Sequence, residues 1–179
     1  GYCWWGTSDT KPSSCPGSCA GNDVKDCDDS DANKHGLING WICADNSKHL
    51  TSCGVVSSPG AYYIENDLSA SGDCITINSD DVVLMCNQYS LTGSGSGSGI
   101  IVNSHDNVSI YGCVVENFDT GVSVTGPGSV LISDVNISNS NTGISFASVT
   151  DSIIKYANID NCNTGIRLTS SDNDILYNN

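Results

Sequence analysis

The densest chemistry in the sequence is an acidic run, Asp26-Cys27-Asp28-Asp29-Ser30-Asp31, followed by Asn33. Hard cations such as Ca²⁺ take six to eight oxygen ligands, and alternating Asp and Asn on one loop supply them well. Asp26, Asp28, Asp29, Asp31 and Asn33 are therefore candidate metal ligands, with a structural Ca²⁺ as the implied cofactor. Its role would be to neutralise clustered carboxylates and lock the loop. The plainer alternative is a solvated Asp-rich loop.

Other groups capable of acid–base work are sparse. Asp80-Asp81 and His105-Asp106 could form a small polar cluster. Glu116 and Asp160 are a conceivable carboxylate pair for glycoside hydrolysis. Lys155 and Arg167 are the only Lys or Arg residues after position 49. His35, His49 and His105 accompany no Ser or Cys nucleophile signature and read as surface residues. Trp4, Trp5 and Trp41 all lie near the N-terminal end, so few aromatics remain to line a long sugar groove.

Ten cysteines exceed what a cytosolic protein usually carries without zinc, and no Cys-x-x-Cys pair is present. An oxidising compartment follows. Cys3, Cys15, Cys19, Cys27, Cys43 and Cys53 allow fifteen pairings, which sequence does not resolve. Twenty acidic residues oppose six basic ones, a net charge of −14. Such a surface repels phosphates, which argues against a nucleic-acid partner. No apolar run reaches the ~18 residues that membrane insertion needs. The opening Gly1-Tyr2-Cys3-Trp4-Trp5 suggests a mature secreted chain. The sequons at Asn107 and Asn136 are candidate N-glycosylation sites.

What positions these groups is a repeat. Gly99, Gly121, Gly143 and Gly165 stand 22 residues apart. After each glycine come Ile100, Val122, Ile144 and Ile166, and two positions later Val102, Val124, Phe146 and Leu168. Period-two apolar spacing marks a strand with one buried face. A second strand runs through Ile110, Ile132, Ile154 and Leu176. The third holds Val115, Ile137 and Ile159, each preceded two positions earlier by Cys113, Val135 or Ala157. No helix-period segment separates them, so copies must stack as a solenoid of three-stranded rungs. Asn117, Asn139 and Asn161 share one turn position, where side-chain amides could stack. Cys74-Ile75-Thr76-Ile77 and Asp81-Val82-Val83-Leu84 align as an earlier rung, ending in a flexible Gly93–Ser98 bulge or lid. In this alignment Cys86 and Cys113 fall on adjacent rungs within bridging reach. Cys74 and Cys162 fall in other columns. Glu116 and Asp160 share an outward column two rungs apart, with Ser138 between.

The run PGAYYIENDLSASGDCITINSDDVVLMC and the glycine-led lines after it resemble right-handed parallel β-helix proteins of the pectate-lyase-like superfamily. They are most similar to the surface and periplasmic β-helix repeat proteins of archaea and bacteria. The resemblance covers roughly residues 59–179 and implies an all-β fold, a right-handed parallel β-helix of 22-residue rungs. The stretch through Cys43 is similar to an acidic, cysteine-flanked metal-binding motif of secreted proteins, departing from it at Leu37-Ile38-Asn39-Gly40-Trp41 and Ala44-Asp45-Asn46. Arg167-Leu168 resembles the Arg-Ile-Lys segment of polygalacturonases, but Thr169 replaces the lysine and their Gly-His-Gly and paired-Asp motifs are absent.

Two parts are expected: a Cys- and Asp-rich head or cap over residues 1–58, and the β-helix over 59–179. The expected function is a non-enzymatic, secreted building block of a cell-surface layer, filament or adhesin. Its partners are further copies of itself as a homo-oligomer or filament, with possible glycan contact. The rival is a carbohydrate-binding or polysaccharide-degrading β-helix enzyme. Because the sequence stops part-way through a rung, either a longer chain or a neighbouring subunit is expected to cover that end.

Overall fold

The computed structural model describes Lys34–Ile38, Ile42–Asp45 and residues 48–177, the first two segments as backbone only. The chain divides into two units, Gly1–Lys48 and His49–Asn179. In the first, Lys34–Ile38 pairs antiparallel with Ile42–Asp45. The metal candidates Asp26, Asp28, Asp29, Asp31 and Asn33 lie outside the described residues. So do Cys3, Cys15, Cys19 and Cys27, and the side chain of Cys43.

The second unit is a parallel β-helix with three sheets. Sheet 1 stacks Gly54–Val56, Ile75–Ile77, Ser98–Asn103, Thr120–Thr125, Thr142–Ala147 and Thr164–Thr169. Sheet 2 stacks His49–Leu50, Gly60–Ile64, Val82–Met85, Val108–Tyr111, Val130–Ser133, Ile153–Lys155 and Ile175–Tyr177. Sheet 3 holds Leu68–Ser69, Ser90–Thr92, Val114–Glu116, Asn136–Ser138 and Asn158–Asp160. Every neighbouring pair within these sheets is parallel.

The registers follow the sequence columns. Ile75, Ile100, Val122, Ile144 and Ile166 stack in one line of sheet 1. Leu84, Ile110, Ile132, Ile154 and Leu176 do so in sheet 2. Leu91, Val115, Ile137 and Ile159 form the matching line of sheet 3. Those from Ile75 through Ile154 are buried, because alternation turns one face of each sheet to a common interior. The coil starts ahead of the expected boundary at 58/59, since His49–Leu50 and Gly54–Val56 already pair with its rungs.

Corner chemistry explains the recurring residues. Gly99 and Gly121 are buried where sheet 1 begins. A Cβ on Gly121 would stand 2.5 Å from Ile137 Cγ2 and 2.6 Å from the Gly143 carbonyl oxygen. Contact with the next rung therefore demands glycine here. In the upper rungs Cys53 and Cys74 take this corner and form a disulfide, with Cα atoms 4.5 Å apart. Sequence alone leaves Cys53 in the head and Cys74 unassigned, because the rung above Cys74 lacks the repeat. Cys86 and Cys113 are bonded as their columns imply, with Cα atoms 4.7 Å apart, close to the spacing of paired strands. Cys162 is free.

Asn117, Asn139 and Asn161 have φ of 61°, 54° and 52°. Asn tolerates this left-handed conformation better than other residues with a side chain. The expected ladder is present between Asn161 Nδ2 and Asn139 Oδ1 at 2.5 Å, and again between Asn163 and Asn141 at 2.9 Å. The Gly93–Ser98 segment is not the free lid its composition suggests. Ser94 and Ser96 both donate to the Ser71 carbonyl, and Gly97 packs so tightly on Gly72 that a Cβ would lie 2.4 Å from its carbonyl carbon.

Candidate functional site

Polar side chains concentrate at the turn between sheets 1 and 2. Asp80 Oδ1 accepts from the Asp106 backbone N–H at 2.9 Å and lies 2.9 Å from His105 Nδ1. His105 Nε2 is 3.3 Å from Asn78 Oδ1. Asn107 Nδ2 donates to Asp81 at 2.7 Å. One rung on, Asp106 Oδ1 accepts from Ser129 N–H at 2.8 Å and from its hydroxyl at 2.7 Å. The polar cluster expected of Asp80-Asp81 and His105-Asp106 is thus assembled.

Its electrostatics are those of backbone capping. The Asp106 backbone N–H, with the His105 imidazole second, lowers the Asp80 pKa below the usual carboxylate value. The Ser129 backbone N–H, with the Ser129 hydroxyl next, lowers that of Asp106. Asp67 is lowered in the same way by the Ser90 N–H, at 2.8 Å. A hydrogen bond to the ionised carboxylate favours that form. These aspartates close gaps in the rung-to-rung ladder where turns leave amides unpaired.

The cluster does not have the order of a hydrolytic triad. Ser129 donates to Asp106 rather than to an imidazole. A shallow depression of about 530 Å³ lies beside it, lined by Asp106, Pro127, Gly128, Ser129, Thr150 and Asp151. On sheet 3, Glu116, Ser138 and Asp160 share the expected outward column. Thr92 donates to Glu116 Oε1 at 3.0 Å, committing that carboxylate to its own neighbour. Asn107 and Asn136, the sequon asparagines, are both exposed, and the Asn107 amide is held by Asp81.

A second constellation escapes the sequence reading. His49, Tyr63, Ile64, Glu65, Asn87 and Tyr89 line an open depression of about 380 Å³ on the first rungs of the coil. His49 Nδ1 pairs with Glu65 Oε1 at 2.5 Å, and its ring lies 5.7 Å from that of Tyr63. One signal was available: in Ala61-Tyr62-Tyr63, alternation sets the two tyrosines on opposite faces of the strand, and both are buried.

Comparison with known proteins finds a family match. The family described as "Periplasmic copper-binding protein (NosD)" matches residues 31–179. No curated protein and no solved structure matches the chain. Copper favours imidazole, thiolate and thioether ligands. Among the described residues no three His, Cys, Asp or Glu side chains converge on one point. His105 and His49 are each tied to a carboxylate, Met85 is buried, and four cysteines are spent in disulfides. The described residues therefore do not fit a copper centre. No helix among them is long and apolar enough to cross a membrane. The coil architecture and a match over most of its length place this chain in the NosD family of parallel β-helix proteins.

Proposed function

We propose that this protein is a non-catalytic, extracytoplasmic building block that self-associates along its coil into a surface assembly or filament. The observation that carries the reading is the outer face of sheet 2. Val83, Ser109, Leu131, Ile153 and Ile175 form one register line there. Their inward neighbours Leu84, Ile110, Ile132 and Ile154 are fully buried, whereas Val83, Leu131 and Ile153 keep partial exposure. Ile175 is 55% exposed, and Tyr156 and Tyr177, in edge contact at 5.6 Å, are 48% and 42% exposed. A solvated sheet face normally carries polar residues at these positions. An apolar stripe interrupted at Ser109 is a contact surface, and a second copy of the same stripe fits it.

Other features support the reading. Inter-rung disulfides suit an oxidising compartment outside the cytoplasm. The turns described are short and pinned, so the coil offers flat faces rather than a deep cleft. A Ca²⁺ at Asp26, Asp28, Asp29, Asp31 and Asn33 would offset part of the −14 charge that opposes association.

Light scattering and negative-stain microscopy over a concentration series, with and without chelator, test the proposal. Oligomers or filaments that grow with concentration are expected. A monomer throughout, together with cleavage of a polysaccharide in a substrate screen, would replace it with the enzyme reading.

A further inference from the structure

The depression on the first rungs has an uneven inventory of hydrogen-bonding groups. Asn87 gives one of its two amide N–H groups to the Ile64 carbonyl at 3.4 Å. His49 Nδ1 lies 2.5 Å from Glu65 Oε1, which leaves the second carboxylate oxygen for outward contacts. On the acceptor side this leaves Asn87 Oδ1 and the Glu65 carboxylate, which is 48% exposed. Tyr63 is 8% exposed, and its hydroxyl, closed off from solvent, has no partner. Burial raises the Tyr63 pKa, so the phenol stays neutral. The remaining wall is aromatic, with Tyr63 and the 38%-exposed Tyr89.

From this we infer that the depression binds a primary alkylammonium group. Such a group brings three N–H donors and no acceptor, which suits the lone pairs of Asn87 Oδ1 and the Glu65 carboxylate. Its positive charge is drawn to the Glu65 carboxylate and to tyrosine ring faces. The volume of about 380 Å³ suits an alkyl chain with its ammonium head better than a bare metal ion. A net charge of −14 concentrates organic cations near the surface and repels anions. Two sources offer this chemistry, a free polyamine and a lysine side chain on a partner peptide.

Calorimetric titration of the full chain with n-butylammonium, and with n-butanol as its neutral counterpart, tests the inference. Saturable binding of the amine is expected, with butanol at least ten-fold weaker. Glu65→Gln and Tyr89→Ala should each weaken amine binding about ten-fold or more. Both side chains are exposed, so the fold should be unchanged by circular dichroism. Asp160→Asn, on the outer face of sheet 3, should change nothing, which separates the site from general charge attraction. Spermidine and a Gly-Lys-Gly peptide then distinguish the two sources. Binding that ignores both site variants, or that Asp160→Asn weakens equally, would overturn the inference. So would equal binding of butanol, or failure of the amine to bind.

Discussion

The sharpest test of the coil's architecture is Gly121→Ala. The new methyl would lie 2.5 Å from Ile137 Cγ2, 2.6 Å from the Gly143 carbonyl oxygen and 3.3 Å from Ile137 Cδ1. Ile137 is buried within its own rung, and the carbonyl belongs to the next rung's backbone, so neither yields cheaply. Overpacking of this kind costs about 1–3 kcal/mol. A gain of ~0.4–1 kcal/mol from reduced freedom of the unfolded chain offsets part of it. The net loss is then about 1–2 kcal/mol, or roughly 2–8 °C in Tm for a unit of this size. Gly54→Ala is the control, since a methyl there would meet nothing within 4 Å. Urea unfolding followed by circular dichroism, run alongside thermal melts, reads both variants. If Gly121→Ala matched wild type within ~0.5 kcal/mol, tight stacking of rungs through the glycine corner would be refuted.

Removing the inter-rung disulfide with Cys86→Ala and Cys113→Ala together should lower stability by about 3–4 kcal/mol, from the 27-residue separation it closes, measured by urea unfolding. At Asn117, with φ of 61°, Asn117→Gly should be nearly neutral, while Asn117→Val should cost about 1–3 kcal/mol in the same assay. The lowered pKa values of Asp67, Asp80 and Asp106 set the acid response. Because the folded values lie below the unfolded reference of 3.8, their contribution is full above it and is lost as pH falls through the folded values. Melting temperature should therefore drop below about pH 4, and less steeply in Asp106→Asn.

Much of the coil was legible because its physics is periodic. A buried residue at one position constrains the residue one rung later, so the columns through Ile100 and Ile110 announced register as well as strands. The Gly121 corner and the Cys86–Cys113 staple followed from those columns. Legibility fell where the period did. Ile75 pairs with Ile100 and Val83 with Ser109, offsets of 25 and 26 rather than 22. Above that rung the spacing no longer betrayed His49–Leu50 as a strand or Cys53 as the partner of Cys74. The depression of His49, Tyr63, Glu65, Asn87 and Tyr89 was hidden for the same reason. Its members come from two strands and a corner where Asn87 and Gln88 have φ of 51° and 66°, and no local motif joins them. By contrast, the Asp80–His105 contact could be read, because both residues sit on turns of aligned rungs.

Association through the outer face of sheet 2 is tested most directly by sedimentation velocity. Wild type should sediment as a concentration-dependent oligomer. Leu131→Glu with Ile153→Glu, placing charges on the partly exposed stripe, should sediment as a folded monomer. Wild type that remains monomeric at every concentration, or a double variant that still assembles, would contradict self-association along this face.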